Sequence, residues 1–196
     1  MLIQMNNNFN NKRIIVISAP SGGGKSVVAN YILENFPNIC FSISSTTRNK
    51  REGEEDNIHY YFLSKEKFIE KMNNGEFVEY EEIYGNYYGT LKSEIEKTFA
   101  ENRVMLFDID VKGAYSIRNQ YPQESLLIFL KPPSIEVLEQ RLRDRKTESE
   151  EQIKTRLSRA KSEIEMNADF DYIVENNDLQ ETLSKVHQII KENIKQ

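Results

Sequence analysis

The chain has 196 residues, with 26 Lys and Arg against 31 Asp and Glu, a net charge of −5, and 38% hydrophobic and 29% charged residues. Those proportions describe one globular domain with room for a small inserted lobe; they exclude an extended basic face for nucleic acid, a membrane-spanning run and a signal-peptide core. The single Cys40 cannot close an internal disulfide, and beside apolar Ile39 and Phe41 it reads as a packed thiol in a reducing, cytoplasmic setting.

Residues 1–11 hold five asparagines and no periodicity, which predicts a disordered tail ahead of a domain spanning 12–196. The apolar, β-branched run Ile14-Ile15-Val16-Ile17 predicts a strand. It is followed by Ala19-Pro20-Ser21-Gly22-Gly23-Gly24-Lys25-Ser26, and then by a helix from near Lys25 with Val28, Ile32 and Phe36 at four-residue spacing. Strand, glycine-rich turn and helix in that order make a phosphate-binding loop. Glycines let backbone N–H groups turn inward around an anion, Lys25 supplies a mobile charge, Ser26 a hydroxyl for magnesium, and the helix N-terminus its partial positive charge. Ala19 stands where the motif has its first glycine, a substitution that a negative φ tolerates.

Short branched or aromatic runs recur at Cys40 to Ile43, Val104 to Phe107, Leu126 to Leu130 and Tyr172 to Val174, with helical patterns between most of them. Such alternation predicts a parallel sheet covered by helices. Helix starts are marked by Pro132-Pro133-Ser134, by Thr147 with Glu150, and by Asp178 with Glu181. Between Arg48 and Tyr88 the pattern changes to short Tyr, Phe and Glu runs punctuated by Gly53, Gly75 and Gly85, which predicts a β-rich insertion. Against the acidic background, basic residues gather at Arg48 to Arg51 and at Arg141, Arg143, Arg145, Arg156 and Arg159, two zones suited to small phosphates. His59 and His187 lack the partners and spacing of metal ligands and read as structural or surface residues.

Four further blocks, Ser44-Ser45-Thr46-Thr47-Arg48, Arg51-Glu52-Gly53-Glu54, Gly85-Asn86-Tyr87-Tyr88-Gly89-Thr90 and Asp108-Ile109-Asp110-Val111-Lys112-Gly113, stand downstream of the phosphate loop. In that order and spacing the chain resembles the guanylate kinases from Arg13 nearly to its end. The resemblance implies an α/β fold: a parallel-sheet P-loop NTPase core (12–43 and 91–196) with helices on both faces, a small β-rich GMP-binding lobe at about 44–90, and a helical lid at about 137–165. It implies transfer of the γ-phosphoryl of ATP to GMP, and to dGMP, with Mg2+ as cofactor and ATP and GMP as small-molecule partners.

By the same resemblance, Ala19, Pro20, Ser21, Gly22, Gly23, Gly24, Lys25 and Ser26 hold ATP, with the lid arginines Arg141, Arg145 and Arg156 closing over it. Arg48, Arg51, Tyr60 and Tyr88 hold the GMP phosphate, and guanidinium forks with phenolic hydroxyls suit such an oxygen cluster. Tyr60 and Tyr88 also fit ordinary lobe core, and Arg51 also fits a loop pair with Glu52 or Glu54. Glu79 reads guanine, whose N1–H and N2 amino group are adjacent donors that a carboxylate accepts; adenine presents an acceptor at N1. The alternative for Glu79 is one more exposed glutamate beside Glu76, Glu81 and Glu82. Ser44 and Thr90 add hydroxyls at the base, Asp110 contacts the GMP side or caps a helix, and Asp108 joins Ser26 in the magnesium shell. Arg143 and Arg159 are expected on a solvated helix face, and Asn176 either near adenine or in a plain loop.

Two other readings share these features. The loop and lid arginines serve any nucleoside monophosphate, so AMP or UMP is excluded only by Ser44, Glu79 and Thr90. A non-catalytic interaction module with the same fold usually has a damaged phosphate loop, whereas Gly24, Lys25 and Ser26 are intact here. No Asn-Lys-x-Asp motif of a signalling GTPase occurs.

Overall fold

The computed structural model describes residues 12–83, 85–144 and 149–194. Its centre is a parallel sheet of five strands in the order β2-β7-β1-β8-β9. These are β1 (Ile14–Ser18), β2 (Ile39–Phe41), β7 (Val104–Asp108), β8 (Ser125–Lys131) and β9 (Tyr172–Glu175). β1 lies between β7 and β8 and is buried along its whole length. That is why its sequence is an unbroken apolar run rather than an alternating one.

Both sheet faces carry helices. Ile15 and Ile17 pack under α1 (Lys25–Asn35) and α7 (Leu179–Asn193) through Val28, Ala29, Ile32, Val186 and Ile190. Ile14 and Val16 face the opposite layer with Ile95 of α3 (Lys92–Ala100) and Val111, Ala114 and Ile117 of α4 (Val111–Gln120). Consecutive side chains of a strand point to opposite faces, so one short apolar run anchors two helical layers.

The remaining strands, β3 (Ser45–Thr46), β4 (Tyr61–Phe62), β5 (Phe77–Ile83) and β6 (Asn86–Leu91), form a second sheet in the order β4-β3-β6-β5. This region also contains α2 (Lys65–Asn73), capped by the Ser64 hydroxyl, a helix that a β-rich reading of the segment misses. Its buried Phe68 stacks on Phe77 and Tyr87, so α2 closes the apolar side of this sheet. In the hairpin β5 and β6, Glu79 stands opposite Thr90, and Gly89 has no room for a side chain: a Cβ there would lie 2.7 Å from the Glu79 carbonyl oxygen.

After β8, Ser134 caps α5 (Ile135–Asp144) by accepting from the Val137 N–H. The next helix, α6 (Glu150–Glu165), starts two residues later than Thr147 and Glu150 suggest: Ser149 and Gln152 make the capping box, just ahead of the first buried apolar residue, Ile153. Asp178 caps α7 as its sequence signal indicates. The expected tail at residues 1–11, Arg145 and Thr147 lie outside the described residues. No helix among the described residues is long and apolar enough to cross a membrane.

Candidate active site

The carboxyl end of β1 runs straight into the glycine loop. Gly22 and Gly24 take φ of 85° and 88°, the left-handed region in which a side chain is strained. Gly23 is held differently: a Cβ on it would sit 2.7 Å from the Ala19 methyl and 2.8 Å from the Pro20 carbonyl oxygen. Ala19 itself has no positive φ, so its methyl costs the loop nothing. Gly24 is the N-cap of α1 and offers no side chain to the helix donors, and the first turn carries no acid. Free N–H groups and the helix dipole are thereby left for an anion. Residues Pro20 to Val27 outline a cradle of about 180 Å³ around this turn.

Three cations are parked on the loop or just behind it. The Lys25 ammonium donates to the Ala19 carbonyl at 2.9 Å and lies 4.0 Å from Asp108. Arg156 of α6 donates to the Ser21 hydroxyl at 2.5 Å. Arg141 of α5 donates to the Asn176 carbonyl at 2.9 Å. Asn176 follows β9, and its buried amide donates to the Gly23 carbonyl at 2.8 Å while its side-chain oxygen accepts from Thr182 at 3.1 Å. Asn176 therefore backs the phosphate loop from behind; its role was invisible in the sequence because its partners are a backbone carbonyl 153 positions away and a helix hydroxyl.

Asp108 ends β7 next to the loop, where ligands gather at the carboxyl edges of parallel strands. It accepts from the Ser26 hydroxyl at 3.1 Å, and burial raises its carboxyl above the ordinary value, opposed by Lys25 and Ser26. A hydroxyl and a carboxylate, both hard oxygen donors, fit magnesium, which keeps most of its waters. No cluster of three or more His, Cys, Asp or Glu that could hold a metal exists among the described residues.

A cleft of about 420 Å³ joins this loop to the second sheet. Ala19, Ser21, Lys25, Asp108 and Arg156 line it from the core and α6, and Ser44, Tyr60, Glu79 and Tyr88 from the lobe, with Asp110 between them. Glu79 is half-buried, and burial, helped by the nearby Asp110 and Glu81 charges, pushes its carboxyl up to about 7 despite hydrogen bonds from Thr90. Thr90 is fully buried behind it and bridges to Ser44, with the two hydroxyl oxygens 3.4 Å apart. Asp110 caps α4 with one oxygen through the Gly113 N–H at 2.8 Å, as its helix-capping reading has it, and its other oxygen accepts from Arg159 at 2.8 Å in the cleft lining.

The two arginines that the resemblance assigns to the GMP phosphate have different partners. Arg48 is locked in a two-pronged pair with Glu54 at 2.8 and 2.9 Å, and its guanidinium lies 5.3 Å from the Tyr60 ring centre. The Arg48 hydrogen bonds and the Arg51 N–H hold the Glu54 carboxyl down at about 2. Arg51 gives its backbone N–H to Glu54, at 2.7 Å, and its side chain is exposed; neither Arg48 nor Arg51 belongs to the cleft lining.

Arg159 is exposed, as expected of a solvated helix face, but it does more than face solvent: it lines the cleft and donates to Glu81 and Asp110, each at 2.8 Å, and to Glu163 at 2.8 Å. The sequence carried one signal for this: Arg156 and Arg159 are three residues apart and so share a helix face. Arg143 behaves as expected, pairing with Glu139 and Glu150 on the exposed side.

Comparison with known proteins agrees with this geometry. Residues 11–193 match the family model described as guanylate kinase. The chain is 47% identical over 174 residues to the guanylate kinase of Chlorobium luteolum, covering 89% of this chain and 88% of that protein. It is 45% identical over 182 residues to that of Prochlorococcus marinus subsp. pastoris, covering 93% and 98%. The crystal structure of guanylate kinase from Anaplasma phagocytophilum superposes with a TM-score of 0.71 at 34% identity, over 93% of this chain and 86% of that one. Sequence, fold and cleft agree, and the chain belongs to the guanylate kinase family.

Proposed function

We propose that this cleft transfers the γ-phosphoryl group of ATP to GMP, giving ADP and GDP, and that dGMP is accepted as well. One observation carries the reading: the phosphate loop and a carboxylate suited to guanine, Glu79, line the same cleft. Residues 12–43 and 91–196 act as the core, about 44–90 as the acceptor lobe, and about 137–165 as the lid.

The division of labour follows from the chemistry of each group. The loop from Ala19 to Ser26 wraps the donor polyphosphate with backbone N–H groups of its residues other than Pro20, and Lys25 exchanges the Ala19 carbonyl for phosphate oxygens. Arg141 and Arg156, already at the loop, spread their charge over the transferring group, which needs electrostatic stabilisation more than covalent help. Arg145 belongs with them by its place in the motif. On the acceptor side Arg48, Arg51, Tyr60 and Tyr88 hold the GMP phosphate, while Glu79, Ser44, Thr90 and Asp110 hold the guanosine. No general base is required, since a phosphate oxygen with a second ionisation near pH 6 is already anionic at neutral pH. Ser26 and Asp108 would hold Mg2+, which would supply positive charge to offset that of the phosphates. The cytoplasm supplies these substrates and the reducing conditions that suit Cys40.

Coupled assays with ATP and each nucleoside monophosphate test the assignment. GMP turnover well above that of AMP, CMP and UMP is expected, and AMP turnover equal to it would overturn the guanine reading.

A further inference from the structure

Arg159 itself has no part in holding either nucleotide as described above, although Asp110, one of the three carboxylates that grip it, is assigned to the guanosine. It ties three separate elements together: Glu163 on its own helix α6, Glu81 on β5 and Asp110 at the start of α4. One turn earlier on α6, Arg156 is bonded to Ser21 of the phosphate loop. A single helix of 16 residues thus touches the donor loop with one arginine and the acceptor wall with the next. Regular helices move as units, so displacing α6 breaks both contacts together.

Glu81 matters for a second reason. It lies two residues from Glu79 on β5, and alternate residues of a strand share a face. The hold on Glu81 therefore orients the strand face that presents Glu79. Asp110, the other partner of the same Arg159 nitrogen, lies close enough to Glu79 to bear on its charge. Without the guanidinium, Glu79, Glu81, Asp110 and Glu163 would confront a dianionic nucleotide with little to offset them. Exposed single ion pairs contribute little, but one cation shared by three carboxylates across three elements is a network rather than a pair.

We infer that Arg159 is a positioning residue that couples the donor and acceptor sites, so that seating of the lid helix over ATP strengthens the hold on GMP. The inference rests on the nucleotide assignment above and adds to it a residue that links the two sites. Coupling between sites of this kind commonly amounts to a change of about fivefold or more in affinity, and it is reciprocal.

The test measures GMP affinity by calorimetry with and without a non-hydrolysable ATP analogue and magnesium. For the unaltered protein, the analogue should tighten GMP binding roughly five- to tenfold. In Arg159→Met that ratio should fall to near one, and Arg159→Lys, which keeps the charge without the fork, should restore part of it. Glu81→Gln breaks the same link from the other side. It should lower the ratio likewise, and combining it with Arg159→Met should cost little more than either alone. A ratio in Arg159→Met and Glu81→Gln equal to that of the unaltered protein overturns the inference while leaving the site assignment standing. Failure of the unaltered protein to bind GMP at all overturns both.

Discussion

The amide of Asn176 donates to the carbonyl of Gly23 at 2.8 Å, across a space that any side chain at Gly24 would invade: a Cβ there would come within 2.6 Å of the same amide nitrogen. The phosphate loop is thus shaped from two directions. Glycine φ values permit its path, and a buried side chain from the far end of the chain fixes it.

Asn176→Ala leaves the Gly23 carbonyl short of its buried side-chain partner, while the Thr182 hydroxyl keeps the Asp178 carbonyl at 2.7 Å. A loss of about 1–3 kcal/mol in stability is expected, with a KM for ATP raised several-fold and a smaller change for GMP. Chemical denaturation and steady-state kinetics on both substrates check it. A KM change confined to GMP would show that Asn176 does not act through the loop.

Lys25→Met removes a charge whose contacts are a loop carbonyl and the Asp108 carboxylate, not the core. Stability should stay within about 1 kcal/mol of the parent, while turnover should fall by a factor on the order of a hundred or more, as for other lost transition-state donors. Near-normal turnover would mean that the ATP phosphates do not lie on this loop.

Glu79 gives the acceptor site a pH dependence with a definite sign. Burial, chiefly, raises its carboxyl to about 7, so it is ionised above that pH and protonated below it. Only the ionised form accepts from both guanine donors, so GMP affinity should be full above pH 8 and fall about tenfold per pH unit below 7. Titration of the GMP phosphate near pH 6 adds a second, lower break. In Glu79→Gln the break near 7 should vanish, with GMP weakened at high pH. Binding measured from pH 5.5 to 8.5 separates the two; a break near 7 that survives in Glu79→Gln would assign it elsewhere.

Glu54→Gln tests whether Arg48 is held ready for its ligand. With the Glu54 carboxyl at about 2, the pair is ionised across the whole physiological range and keeps the fork in one orientation. Loosening it should raise the KM for GMP roughly three- to tenfold and leave the KM for ATP nearly unchanged, since only the acceptor phosphate loses a prepositioned partner. Equal effects on both substrates would point to general disruption of the lobe.

Much of this molecule was legible in the chain because it depends on local chemistry. The glycine loop was legible since few other residues adopt its φ values, and β1 because burial on both faces demands an unbroken apolar run. Its four downstream blocks pointed to an acceptor side only through their resemblance to the guanylate kinases. The capping signal at Asp178 was equally local. The segment after Arg48 was harder: α2 hid in a short, charge-rich stretch with one fully buried residue, Phe68, beside partly exposed Ile69 and Met72, too little for a periodicity to stand out.

The amino-acid order by itself determined the α/β class and the phosphate loop with Lys25 and Ser26, because each follows from backbone freedom, periodicity or side-chain chemistry within a few positions; the proposed acceptor residues came from the resemblance to the guanylate kinases. Only the tertiary structure decided that Asn176 braces the loop, that Arg48 and Arg51 stay outside the cleft lining, and that Arg159 joins Glu81 and Asp110. Those relationships span 49 to 153 positions. Contacts that distant are set by how sheets and helices pack, and no local pattern in the chain records them.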